Sequence, residues 1–175
     1  MRLKTLVCAA MLATAAVASH AENLTTTVPL VADDAMPGSF SAAFGATHEF
    51  AGAFTDTITF TGATAGLVTA SLVTIGFLPQ ANINLGSVTM NGMPLTITGG
   101  GLAVEVASLA PSTFSGPLTL VVTGTAAPSL ASGTPIAASF AGTVNVSAVP
   151  EPESYALLLA GLGVVGLLSR RRFMG

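Results

Sequence analysis

One histidine and a few carboxylates are all that the central part of this 175-residue chain offers to acid–base chemistry: His48, Glu49, Asp56 and Glu105, with Asp33 and Asp34 side by side upstream. A serine nucleophile served by His48 needs a carboxylate to orient the imidazole. Glu49 is adjacent in sequence, but neighbours on a strand point to opposite faces. His48 is therefore expected as an exposed or hydrogen-bonded strand residue rather than a base. Two of Glu49, Asp56 and Glu105 flanking a sugar ring would make a glycosidase pair, yet nothing in their spacing brings them together. Zinc wants several His or Cys ligands, which residues 22–149 do not supply. Paired aspartates in a loop offer oxygens to Ca²⁺; solvated turn residues are the plainer reading of Asp33 and Asp34. The expectation is a chain that is not an enzyme, with no catalytic residue, no metal ligand and no cofactor.

The elements that carry these residues are strands. Val, Ile, Thr and Phe alternate with Gly, Pro and Asn throughout residues 22–149, a composition of short strands and turns rather than of disorder. Pro29 marks residues 24–31 as an edge strand, because proline cannot donate to a central ladder. A phenylalanine-rich block follows (Phe40, Phe44, Phe50, Phe54, Phe60), in which residues 40–49 and 50–59 echo one another at Phe, Ala, Phe and Thr. One echo is too short for a solenoid; two or three strands that sink phenylalanines into one core are expected. Ile58 and Phe60 alternate with Thr57, Thr59 and Thr61, and Asp56 shares the apolar side, so it is placed at the strand's first turn, accepting backbone N–H groups.

Residues 67–77 present Val73, Ile75 and Phe77 on one face. Residues 83–90 and 93–98 meet across Asn91-Gly92, the pair that best accepts the positive φ angles of a type I′ hairpin. Leu102, Val104 and Val106 form the next apolar face, which sends Glu105 to solvent. Residues 111–117 read as a loop, residues 118–123 as a buried strand, and residues 140–147 as a final strand with Val144 and Val146 inward. Eight to ten strands without an amphipathic helix indicate an all-β, antiparallel β-sandwich of jelly-roll or immunoglobulin-like form.

Residues 1–21 read as a secretory signal helix: Arg2 and Lys4 precede an apolar segment, and Ser19-His20-Ala21 supplies the small residues before a cut. The only cysteine, Cys8, falls inside it. Residues 22–149 then carry six carboxylates and no lysine or arginine, a formal charge of −6. Nucleic acid is excluded as a partner, since phosphate capture rests on Lys and Arg. An anionic lipid surface is disfavoured for the same reason.

The chain closes on Pro150-Glu151-Pro152, an apolar run over residues 155–168, and Arg170-Arg171-Arg172. Fourteen helical residues span about 21 Å, short of the ~30 Å hydrocarbon core, but the run is apolar on all sides, which favours lipid. The arginines hold their end on the cytoplasmic side and so determine topology. Gly161, Gly163 and Gly166 mimic a dinucleotide-binding spacing without the strand before it or the acid after it, and read instead as small residues that let membrane helices approach closely.

Those three elements in that order resemble the sorting tail of bacterial PEP-CTERM proteins, over residues 149–175. The resemblance implies processing near Pro150, Glu151 and Pro152 by an exosortase, a transient hold in the inner membrane, and delivery to the cell surface or extracellular polysaccharide. Phe54-Thr55-Asp56-Thr57-Ile58 is similar to the motif of the FxDxF group of those proteins, with Ile58 in place of the closing aromatic. That similarity implies a β-rich exported protein and no activity. The reading is then a signal peptide (1–21), a β-sandwich (22–148) and a sorting tail (149–175) with a short transmembrane helix. Its role would be structural or interactive, in exopolysaccharide or biofilm matrix. The alternatives are a Ca²⁺- or glycan-binding module and, behind it, a carboxylate-dependent hydrolase.

Overall fold

The computed structural model describes residues 22–34, 36–62, 65–147 and 152–173; the expected signal segment, Pro150 and Glu151 lie outside them. Eleven strands and one helix follow in order: β1 (Thr25–Pro29), β2 (Val31–Ala32), β3 (Ser39–Phe50), β4 (Gly52–Thr61), β5 (Ala65–Ile75), β6 (Ile83–Met90), β7 (Met93–Pro94), β8 (Thr96–Thr98), β9 (Val104–Ser115), β10 (Leu118–Ala126), β11 (Pro135–Ser147) and α1 (Pro152–Phe173). They form a five-stranded sheet, β1-β4-β10-β6-β7, and a six-stranded sheet, β2-β3-β11-β5-β9-β8. Apolar side chains from the facing sides of the two sheets make one core, so the expected sandwich is the observed architecture.

The alternation of residue types explains most of the register. In β4, Phe54, Ile58 and Phe60 are buried while the interleaved threonines look outward; in β11, Val144 and Val146 are buried with Asn145 and Ser147 exposed. Asn91 (φ 48°) and Gly92 (φ 82°) make the hairpin turn, and Met90 pairs with Met93 across it. The Asn91 amide also ties the turn to the next strand: Nδ2 donates to Pro117 O at 3.0 Å and Oδ1 accepts from Thr119 N at 2.7 Å.

Four expectations are corrected. The single edge strand over residues 24–31 is two strands in different sheets, with buried Leu30 at the crossing; and β1 pairs with β4 in parallel, so the sandwich is not wholly antiparallel. The loop assigned to residues 111–117 is mostly strand, since β9 runs through Pro111 to Ser115 beside β5. Pro111 is tolerated because β8, the neighbour on the other side, reaches only as far as Ser108. On β9 the inner and outer faces are the reverse of those expected, and on β5 the face shared by Val73, Ile75 and Phe77 is the outer one. Val68, Ala70, Leu72 and Thr74 face in, and Ile75 and Phe77 are 58% and 78% exposed. Glu105, Ala107 and Leu109 face in, and Leu102, Val104 and Val106 face out.

The phenylalanine echo has a spatial meaning. Phe44 on β3 lies across the ladder from Gly142, and Phe54 on β4 lies across from Gly124. Each ring covers a glycine in its own sheet: a Cβ at Gly142 would stand 2.5 Å from Phe44 Cζ, and one at Gly124 2.9 Å from Phe54 Cζ. Phe44 then meets Phe60 of the other sheet edge-on at 5.6 Å. Gly142→Ala, which would also press on the Ser71 carbonyl, is expected to lower stability by about 2 kcal/mol through overpacking, read as a drop in the urea midpoint at unchanged m-value.

Candidate functional site: a buried histidine–carboxylate pair, a buried glutamate and the C-terminal tail

β3 and β4 belong to different sheets and place His48 and Asp56 face to face inside the sandwich. Both are fully buried. His48 Nε2 stands 3.2 Å from Asp56 Oδ2, a close polar contact outside hydrogen-bond geometry, and neither imidazole nitrogen has a hydrogen-bond partner among the described residues. The ring is held by stacking instead, 4.1 Å from the Phe54 ring at 31°. Asp56 Oδ1 accepts Leu24 N at 2.9 Å, and the Asn23 side chain accepts Thr55 N at 2.7 Å. Together these polar contacts fasten the start of the chain beside β4.

The expectation of an exposed or hydrogen-bonded His48 is corrected; it was placed by its own polarity, whereas the alternation of β3 puts it on the side of Ala42 and Phe44. Asp56 accepts a backbone N–H as expected, but from the middle of β4 rather than from a strand's first turn. Phe54, Asp56 and Ile58, the three motif residues, all face the core. A general base must come within hydrogen-bond reach of the proton it takes; as folded, His48 and Asp56 present only to each other and to core groups.

Glu105 is the second buried carboxylate and overturns the expectation of a solvent-facing side chain. Oε2 accepts Leu85 N at 2.7 Å and Oε1 accepts Gly101 N at 2.7 Å. Leu85 lies on β6, in the opposite sheet, so one carboxylate joins the two sheets and pins the 99–103 turn. Its signal was present further along the chain: Ala107 and Leu109 share its parity, and so extend an apolar face on the Glu105 side rather than the Val104 side. Thr74, directly opposite Glu105 across the ladder, is buried with it.

Asp56 and Glu105 sit on different sheets and each is engaged by backbone amides, while Glu49 is exposed. Asp33 and Asp34 fall between β2 and β3, with Asp34 exposed. Among the described residues no group of three or more His, Cys, Asp or Glu side chains could hold a metal ion.

The helix of the tail begins five residues after Ser147, the end of β11. Pro152 opens α1 and Arg170, Arg171 and Arg172 fall in its last turns. Leu157, Leu158, Leu159, Leu162, Val164 and Val165 are all exposed, so the apolar helix is not covered by the sandwich. Among the described residues no helix is long and apolar enough to cross a membrane. Gly161, Gly163 and Gly166 lie inside α1, away from the strand–turn–helix setting that a dinucleotide site requires.

Residues 148–172 match the family description "PEP-CTERM protein-sorting motif". No curated protein matches the chain. Among solved structures, PliG of Aeromonas hydrophila, a periplasmic lysozyme inhibitor of g-type lysozyme, is similar at 19% identity over 72% of this chain and 98% of that one, with a TM-score of 0.30. A likeness of that degree carries no argument about activity.

Proposed function

We propose that this chain is an exported, non-catalytic β-sandwich that an exosortase sorts through its tail and hands on to the cell surface or extracellular matrix. The sorting motif over residues 148–172 is the observation that carries the reading. It implies export and exosortase processing, and the arrangement of the chain supports it. The sandwich, residues 22–148, is a finished unit whose polar core groups are turned inward. The exposed leucines and valines of α1 require an apolar surrounding that the sandwich does not give, and a membrane of modest thickness supplies it, with Arg170 to Arg172 on the cytoplasmic side. Pro150, Glu151 and Pro152 are then substrate residues of the processing enzyme. Membership of the FxDxF group is part of the same proposal: Phe54, Asp56 and Ile58 serve the core and the attachment of the first strand. In the matrix, the sandwich acts by its surface, as a structural or interaction module among exopolysaccharide.

Intact-mass measurement of the exported protein tests this. The expected product begins near Glu22 and ends near Pro152, having lost the helix and the arginines. Pro150→Ala with Glu151→Ala should leave the uncut precursor in the membrane fraction. An exported product that still carries Arg170 to Arg172 contradicts the proposal.

A further inference from the structure

The orientation of β5 and β9 leaves the outer side of the six-stranded sheet with a feature that folding alone does not require. Val73 pairs with Val106 and Ile75 with Val104 across the ladder, so apolar side chains stand in register on the outside while Thr74 and Glu105 are buried beneath them. The turns beyond the strands carry further exposed apolar side chains. Phe77, Leu78 and Leu102 are 78%, 65% and 63% exposed, and Gly76 N donating to Ala103 O at 2.7 Å holds the two turns together. These side chains form a ridge at one end of the sheet. Next to it, over Val73, Val106, Ala141 and Thr143, lies a groove of about 350 Å³, larger than an aromatic side chain. Ridge and groove share β5, along which Phe77 and Val73 are four residues or ~13 Å apart; the groove opens towards β11, with Val106 of β9 in its lining.

We propose that this face is the interface of a homodimer. A two-fold contact must be self-complementary, with a feature i meeting j and j meeting i. A ridge and a groove on one face meet that condition: a two-fold axis in the plane of the contact, passing over Ile75 and Val104, seats each copy's Phe77 ridge over the other's groove. Charge permits it. The outward positions of β5, β9 and β11 carry no ionisable side chain, so two anionic sandwiches meet without opposing their carboxylates. The exposed apolar area of the ridge and its flanking valines is on the order of 600 Å², at the upper end of what a monomer shows. That is a large part of the ~800 Å² per partner of a standard interface.

A lipid surface fits less well. Ser147, from which the tail departs, pairs with Leu67 at the other end of β5, so the ridge lies about eight residues, or ~26 Å, from that end of the sheet. The buried Glu105 gains a purpose here, since its bond to Gly101 N fixes the turn that carries Leu102, which the Gly76 N–Ala103 O bond ties to the turn that carries Phe77. This inference stands apart from the sorting proposal and survives or fails without it.

Sedimentation velocity of the exported protein across the micromolar range provides the test, with a dimer expected. Phe77→Asp combined with Leu102→Asp should weaken association by at least about tenfold while leaving the thermal transition of the sandwich in place, because both side chains are already exposed. Val31→Asp, on a strand at the far edge of the same sheet, should leave the dimer intact. Because the sole cysteine of the chain is Cys8, a cross-link offers a second readout: Phe77→Cys protein mixed with Ala141→Cys protein should form an intermolecular disulfide between the two variants on mild oxidation. A wild-type monomer throughout the range overturns the proposal. So does a dimer indifferent to Phe77→Asp with Leu102→Asp, or a monomer that instead floats with neutral phospholipid vesicles through this face.

Discussion

Asp56→Ala is expected to lower the stability of the sandwich by about 3 kcal/mol, because it removes the carboxylate beside a buried imidazole and strips Leu24 N of its acceptor. For a domain of this size the loss lowers the melting temperature by roughly 10 °C. Asp56→Asn separates the two contributions. Its amide oxygen can still accept Leu24 N, so it should retain a good part of the stability, and what it loses reports on the contact with His48. The accompanying structural sign is local: hydrogen exchange at β1 should accelerate in Asp56→Ala before the rest of the sheet is affected, because Asp56 and the Asn23 amide are the side-chain fastenings at the start of that strand. Uniform exchange across the five-stranded sheet would show that the aspartate acts on the whole core instead.

Glu105→Ala should cost about as much, on the order of 3 kcal/mol, since it leaves two amide N–H groups, one of them buried, without an acceptor. Glu105→Gln is the sharper probe. It keeps one oxygen and turns an NH₂ group towards the second amide, so one of the two bonds must fail; an intermediate loss of about 1–2 kcal/mol follows. If the amide bond that yields is the one to Gly101, limited proteolysis should find a new cut among residues 99–103 in the folded variant. A variant as resistant as the parent would place the loss at Leu85, between the sheets.

These two carboxylates also show what in this molecule was legible from the chain. Strand alternation placed Ile58, Phe60, Val144 and Val146 correctly, and the Asn91-Gly92 turn was readable because its backbone angles are demanded locally. The same alternation put Asp56 on the apolar side. Its acceptor role was also readable; its partner, Leu24 N, was not, because that group arrives from thirty-two residues away. For β9 the local pattern was misleading, since both faces of this strand carry apolar residues and only the longer run through Ala107 and Leu109 separates them. A period-2 pattern fixes which residues share a face and leaves open which face is inside; here the decision belongs to Glu105, one of whose two amide partners, Leu85 N, is supplied by the opposite sheet and is in reach only once the sheets have met. The tail was legible because recognition of such a signal depends on short contiguous sequence, and the expected motif coincides with the matched segment.

The position of β11 has a mechanical consequence. The tail is joined not to an edge strand but to one flanked on both sides, by eleven residues' pairing with β3 on one side and eight with β5 on the other. A pull on the tail along the strand therefore loads both ladders in shear, so that many hydrogen bonds must yield together, where an edge strand pulled sideways would open one bond at a time. Under the sorting proposal, in which the tail holds one end of the chain, tension is carried into the middle of the six-stranded sheet, where two ladders share it.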